Sequence, residues 1–309
     1  MPDCFLPEGH LLTTHENLTA CARLSPLRPS GHAGAILEGV ALMATPEYDL
    51  LVRCGPFVGR IPHSETALGI VEGSVRDIAI LSRVGKPVRF TVIGWEPGDS
   101  GLRPILSRRQ VQERAKAWLD ALPAGTVLPA RVTRLEHFGA FVDVGCGLPS
   151  LLSVQRICVS RIPHPAAHLA CGQQIWVAVL GHDRERGHLL VTHRELLGTW
   201  EENISPFAVG MTVPGVVRGI HDYGSFIELT PNLSGLAECR IPLTEGERVS
   251  VHIKSISPRR RKIKLSVIDH LPPAPAAPLR YFLPPDGRIR RWQYAAPDCE
   301  RPGMETVFS

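Results

Sequence analysis

Apolar and polar positions alternate in short runs along most of the chain, and turn-forming residues separate the runs. Within residues 125–195, Val127, Ala130, Val132 and Leu135 predict one strand and Phe138–Val144 its antiparallel partner. Gln174–Leu180 and Gly187–Thr192 predict a further pair across the polar turn His182–Arg186. The same order returns within residues 208–270, as Gly210–Arg218, Tyr223–Leu229, Arg248–Ile256 and Lys262–Ile268. A degenerate copy precedes both within residues 34–109, with Leu37–Leu42, Tyr48–Arg53, Pro87–Ile93 and Arg103–Leu106, and with Gly59–His63 where a third strand begins. Short strands, frequent turn signals and no long helix predict an all-β chain of three small closed five-stranded barrels.

Short helical connectors are expected between them. Ser107 can cap a helix in which Val111, Ala115, Trp118, Leu119 and Leu122 share one face, with residues 110–124 as the linker. Thr192–Ile204 predicts a second helix, stopping before Pro206 in the linker 196–207. Residues 1–33 are a polar N-terminal segment with weak helix signals. The tail, residues 271–309, opens on a Pro-rich stretch, and a hairpin is expected from Arg280–Leu283 and Arg288–Tyr294 around the turn Pro284–Gly287.

The repetition extends to individual residues. Phe138-Gly-Ala-Phe-Val-Asp-Val144 is answered by Tyr223-Gly-Ser-Phe-Ile-Glu-Leu229, so the chain is built from copies of one module. In the degenerate copy only Tyr48 remains of the aromatic pair. Paired aromatics beside a glycine suit stacking on nucleobases better than bond-breaking chemistry.

Composition narrows the class. With 44% hydrophobic and 21% charged residues the chain reads as globular. No apolar run approaches the ~18 residues of a membrane span. The first residues lack a basic start and an apolar core, so no export signal, no membrane contact and a cytoplasmic location are expected. The eight cysteines include no C-x-x-C pair, which argues against a zinc ribbon or a disulfide framework. Net charge is +4, and residues 125–309 carry all of it, with 21 Lys and Arg against 17 Asp and Glu. Residues 1–124 balance at 13 against 13. A polyanion-binding surface is therefore expected in the second part of the chain. No catalytic constellation assembles: His182 and His188 lack a third ligand, and Gly145-Cys-Gly147 is half a phosphate-loop fingerprint with no helix after it. No enzyme activity, metal or cofactor is expected.

Residues from about Gly34 to Asp269 resemble tandem S1 domains, the OB-fold RNA-binding modules of the bacterial ribosomal protein S1 family. The strongest match is Gly125–Arg194, with Ser160-Arg-Ile-Pro-His-Pro165 and Gly172-Gln-Gln174 resembling that protein's own loop. The resemblance implies S1-type barrels with RNA on one face, gripped by two second-strand aromatics, a third-strand His, and an Asp and a basic residue near the last hairpin. In residues 125–195 these positions fall on Phe138, Phe141, Ser153, Asp183 and His188, with Arg184 and Arg186 nearby. In residues 208–270 the aromatics are Tyr223 and Phe226, the His position is Glu238, the Asp position is lost near Ser257, and the basic one is Lys262 within the run from Arg259 and Arg260. Ser153 and Glu238 both depart from the family's His. The implied partners are single-stranded RNA or mRNA, with the small ribosomal subunit met through the N-terminal module. The alternative is a regulatory or protein-interaction module of weak RNA affinity.

Two residue-level expectations follow. Phe138 and Phe141 are three apart, so on a flat strand they face opposite sides, and only a bend or bulge at Gly139 turns both outward. The resemblance favours exposure of both. In the tail, Arg288, Arg290, Arg291 and Trp292 form a further basic-aromatic set, expected to dock on the third barrel ahead of contacting RNA.

Overall fold

The computed structural model describes residues 5–24, 34–98, 101–183, 188–238, 241–275, 277–296, 299–300 and 303–309. Three closed five-stranded barrels follow one another along the chain. The first is β1 (Leu37–Ala44), β2 (Leu50–Cys54), β3 (Phe57–Ile61), β4 (Pro87–Gly98) and β5 (Gly101–Ser107). The second is β6 (Val127–Glu136), β7 (Gly139–Asp143), β8 (Pro149–Ser153), β9 (Gln174–Asp183) and β10 (His188–Thr192). The third is β11 (Thr212–His221), β12 (Gly224–Thr230), β13 (Leu233–Glu238), β14 (Arg248–Ser257) and β15 (Lys262–His270).

All three share the strand order one-two-three-five-four, and the third strand pairs parallel with the fifth to close each cylinder. This is the five-stranded OB-fold, repeated in tandem as the periodicity predicts. Alternation fills the interiors: Leu50, Val52, Ile61 and Phe90 in the first barrel, Val132, Val142, Leu152 and Val177 in the second, Val217, Ile227, Val249 and Leu265 in the third. Register shifts at Val92/Gly94 and Val217/Gly219 bend long strands around the cylinders, as bulges do.

The chain divides into two units, residues 1–122 with 129–131 and 143–149, and residues 123–128, 132–142 and 150–309. In the first unit, α1 (His15–Ala22) precedes β1, α2 (Ile78–Leu81) lies between β3 and β4, and α3 (Arg109–Asp120) follows β5. Ser107 Oγ accepts the Gln110 N–H at 3.0 Å, and α3 buries Val111, Ala115 and Leu119. Glu8, buried, is matched by Arg108 at 2.7 Å and Arg83 at 3.1 Å, which offsets the cost of desolvating it.

In the second unit the expected single helix over Thr192–Ile204 is two pieces. A 3-10 turn at Arg194–Leu197 stops at Gly198, whose φ is 85°, and α4 (Trp200–Ile204) restarts after a capping box between Thr199 and Glu202. A glycine in the left-handed region cannot continue a right-handed helix, hence the break. The segment between Ile157 and Cys171 reaches the third barrel: Val159 N–H donates to Asn232 Oδ1 at 2.9 Å, Ser160 N–H to the Pro231 carbonyl at 3.0 Å, and His168 Nε2 meets Glu228 at 3.2 Å. Asn232, fully buried, also donates to the carbonyls of Arg194 and Gly198, both at 2.8 Å.

The tail does not form the expected hairpin. Instead β16 (Arg291–Gln293) pairs antiparallel with β17 (Glu305–Val307). Pro284 and Pro285 have no N–H to give to a ladder, and the Phe282 N–H is taken by the Leu196 carbonyl at 2.8 Å, so the segment before the turn has no free edge to offer. Trp292, Tyr294 and Phe308 join the same buried cluster as Leu196, Trp200 and the third barrel's interior. Of the basic-aromatic set expected to dock, Trp292 does so, whereas Arg290 and Arg291 stay exposed and pair within the tail with Asp286 and Glu305, and Arg288 donates to the Ala124 carbonyl. Among the described residues, no helix is long and apolar enough to cross a membrane, and no group of three or more His, Cys, Asp or Glu is arranged to hold a metal ion.

Candidate nucleic-acid interface

Alternation of side chains governs strand residues only, and this settles how both rings of a pair can face outward. Phe138 lies in the β6–β7 turn, not on the strand, and is 56% exposed. Phe141 is on β7 between the buried Ala140 and Val142, so it points away from the interior, half-buried against its neighbours. With Phe138 placed in the turn, the two rings stand 6.1 Å apart and perpendicular. Gly139 serves a different need: a Cβ there would lie 2.4 Å from the Leu152 carbonyl oxygen, so only glycine lets β7 approach β8. The guanidinium of Arg134 stands 6.0 Å from the Phe141 ring centroid, and a His137–His164 pair packs edge-on at 5.0 Å.

The third barrel repeats the arrangement. Tyr223 sits in the β11–β12 turn at 67% exposure and Phe226 is the first outward ring of β12, 6.4 Å away at 85°. His221 adds a third ring, parallel to Tyr223 at 5.2 Å and 1° and edge-on to Phe226 at 5.6 Å. Gly224, with φ of 134°, is again obligatory, since a Cβ would fall 2.7 Å from the Ala237 carbonyl oxygen.

Register shows which charges share this face. Phe226 pairs with Leu236, Leu236 with Lys264 and Lys264 with Ser255, so one row across the sheet carries a ring, an aliphatic and an exposed ammonium. Lys262 lies one outward position further along β15, paired with Ser257 at the end of the hairpin. Asp183 and His188 occupy the corresponding last rung of β9 and β10. Arg184 and Arg186 lie outside the described residues. Ser153 closes β8, half-buried, and Glu238 closes β13, exposed and 3.2 Å from the Lys254 ammonium.

The turn that carries Arg259 and Arg260 is tied to the tail. Arg260 pairs with Glu300 at 3.1 Å, and the Arg259 carbonyl accepts the Glu300 N–H at 2.9 Å. The next outward position on β12 beyond Phe226 is covered as well. Glu228 is buried under Arg218, which grips it through Nε at 3.0 Å and Nη2 at 2.9 Å, and under His168. Burial pushes the Glu228 carboxyl up, but the hydrogen bonds from His168 and Arg218 hold it below its ordinary value. The open part of the third barrel's wall is thus the end that carries His221, Tyr223, Phe226, Glu238 and Lys264.

Sequence reading missed His221, Arg134 and Lys264. His221 was visible as a ring two residues ahead of Tyr223. Lys264 was not, because its place depends on the β13–β15 register.

What the exposed surface can do follows from its parts. Flat rings accept base faces, and the scattered cations of each barrel accept phosphates. No buried acid, nucleophile or metal-ligand set stands among the described rings.

The family described as S1 RNA binding domain matches residues 122–194. Small ribosomal subunit protein bS1 from Leuconostoc lactis is 33% identical over 199 residues, covering 59% of this chain and 46% of the relative. The bS1 homolog of Bacillus subtilis (strain 168) is 29% identical over 200 residues, 59% of this chain and 52% of that one. The chain spans about half the length of these curated relatives. The solution structure of GSP13 from Bacillus subtilis is 27% identical over 24% of this chain and 56% of its own, with a TM-score of 0.23. The family match and the barrel formed by the same residues agree: residues 122–194 carry an S1 RNA binding domain, and the chain is similar to the bS1 proteins.

Proposed function

We propose that this protein binds single-stranded RNA without catalysing a reaction, and that it holds mRNA near the small ribosomal subunit. The observation that carries the reading is the duplicated ring pair: perpendicular aromatics 6.1 Å and 6.4 Å apart, each with one member in an exposed hairpin turn. Each stacked base is worth about 1–3 kcal/mol whatever its identity, so two such platforms in one chain give useful affinity without sequence reading, and their linkage adds avidity. Phosphate contacts fall to Arg134 in the second barrel, and to Lys264 and Lys262 in the third. The first barrel keeps only Tyr48 of the pair, in a neutral part of the chain, and serves as the protein-binding anchor. The names of the curated relatives support the ribosomal setting. Sedimentation of a cell lysate tests it: the protein is expected to travel with small subunits and to leave them at high salt, and its absence from those fractions at low salt overturns the ribosomal role.

A second reading, a regulatory S1-domain protein of weak RNA affinity, is favoured by Ser153 and Glu238 at the family's His position. A gel-shift salt series separates the two, because each phosphate contact on a single strand contributes a slope of about 0.7 in log affinity against log salt, and a protein-only module shows none.

A further inference from the structure

Glu238 lies level with Gly224 on the outer wall of the third barrel, since Ser225 pairs with Ala237 and Phe226 with Leu236. Gly224 has no side chain to fill the space opposite. The result is an open cleft of about 500 Å³, walled by the turn that carries His221 and Tyr223, by Glu238, and by Ile241, Pro242 and Leu243. That is within the roughly 300–1,000 Å³ of small-ligand sites. A carboxylate here repels phosphate, so on electrostatics alone it weakens a purely backbone-gripping site. Its exposure and its place beside stacked rings suit a different target, the hydrogen-bond donors on the edge of a base.

We infer that the third barrel reads base identity, with Tyr223 and Phe226 holding a base whose edge is presented to Glu238, and that the base it selects is guanine. The inference rests on the reading of this barrel as a single-stranded RNA binder. An ionised carboxylate is acceptor-only, with two oxygens side by side. Guanine alone among the four bases offers two parallel donors to it, the ring N1–H and the exocyclic amino group, which makes a charge-assisted bidentate pair. Cytosine and adenine offer one amino group next to a ring acceptor. Uracil offers N3–H between two carbonyl oxygens that both meet the carboxylate unfavourably. Lys254, 3.2 Å from Glu238 Oε2, occupies only part of the carboxylate's roughly four lone-pair positions. The phosphates of the same strand then lie toward Lys264, one row along the sheet from Glu238.

The test uses the full chain and fluorescence anisotropy with labelled uridine heptamers carrying guanosine, inosine or uridine at the centre. The guanosine probe is expected to bind on the order of tenfold tighter than all-uridine, the size of one good bidentate base contact. Inosine, which lacks the amino group, is expected in between. Glu238→Gln is expected to bring the guanosine and uridine probes to near-equal affinity while all-uridine binding holds or tightens. Equal binding of guanosine and uridine probes by the unaltered protein overturns base reading and leaves RNA binding standing. So does a Glu238→Gln protein that tightens both probes by the same factor, which assigns Glu238 a purely repulsive role. Absence of measurable binding to every probe overturns both readings together.

Discussion

On the proposed function, Phe138 and Tyr223 are the residues on which affinity turns, because each is a large ring held in a turn with most of its surface in water. A change of both to alanine removes one stack per barrel, a loss of about 1–3 kcal/mol at each site. Phe138→Ala with Tyr223→Ala is therefore expected to weaken single-stranded RNA binding by about 2–6 kcal/mol in all, roughly thirtyfold at the lower end, with an unchanged far-ultraviolet circular dichroism spectrum. Unaltered affinity in the folded double variant removes both rings from the site. The pairing of these residues was legible in the repeated motif, and their common side was not. Period-two alternation separates residues three apart, and nothing in the motif says that the first ring belongs to the turn and the second to the strand. The glycines between them were legible as a need for space, while the partner of that need, a carbonyl on the neighbouring strand, became visible only with the barrel closed. Lys264 was hidden for the same reason: which cation meets Phe226 is decided two strands away.

Strands were the most legible elements, since alternation marks one wet face and one dry face whatever the partner strand is. The connecting pieces were less so. The insert after β8 read as a proline-containing loop, yet it is what joins the second barrel to the third, through Val159, Ser160 and His168. Asn232 is the centre of that joint, with one carbonyl oxygen accepting and one amide donating twice. Asn232→Ala leaves the buried Gly198 carbonyl and two half-buried backbone groups, Val159 N–H and the Arg194 carbonyl, without this partner, and a cost of about 1–3 kcal/mol is expected. Urea unfolding checks this, and a midpoint within error of the unaltered protein contradicts it. A second joint is pH-dependent. His193 Nδ1–H donates to the Ile157 carbonyl at 2.6 Å, so its other nitrogen accepts from Tyr281 Oη at 3.1 Å, an arrangement that requires the neutral ring. Burial pushes the His193 pKa down to about 4 from 6.5. The unfolded chain therefore takes up this proton first as pH falls. The stability contributed is complete above about pH 6.5 and is lost on the way down to pH 4, about 3 kcal/mol in all. A urea midpoint that falls between pH 7 and pH 4.5, with a smaller fall in a His193→Gln protein, is the expected result.

At the scale of the whole molecule, the three repeats are equal in topology and unequal in equipment. The first keeps the cylinder and loses the ring pair, the second keeps both rings without the third-strand histidine, and the third adds His221 and Glu238. Topology was legible in the order of apolar runs, whereas the role of the tail was not, because its anchoring partners lie far from it in sequence. Trp292, Tyr294 and Phe308 contribute to the buried cluster of the second unit, and burial of each such ring is worth about 1.5–3 kcal/mol. Removal of residues 280–309 is therefore expected to lower the melting temperature of that unit and to open it to protease, with circular dichroism melts and limited digestion as the readouts. A truncated protein as resistant as the full chain contradicts the packing described.

The backbone N–H of Val127 donates to the Gly287 carbonyl, and that of Ile289 to the Gly125 carbonyl, both at 2.8 Å. Residues synthesised more than 150 positions apart thus close one structure, and polypeptides emerge from their amino end first. Until Phe308 has been made, Leu196 and Trp200 lack their lids. A nascent chain that has not yet reached Phe308 exposes apolar surface of the second unit to chaperones and proteases, so the fold of that unit waits on residues made long after its strands.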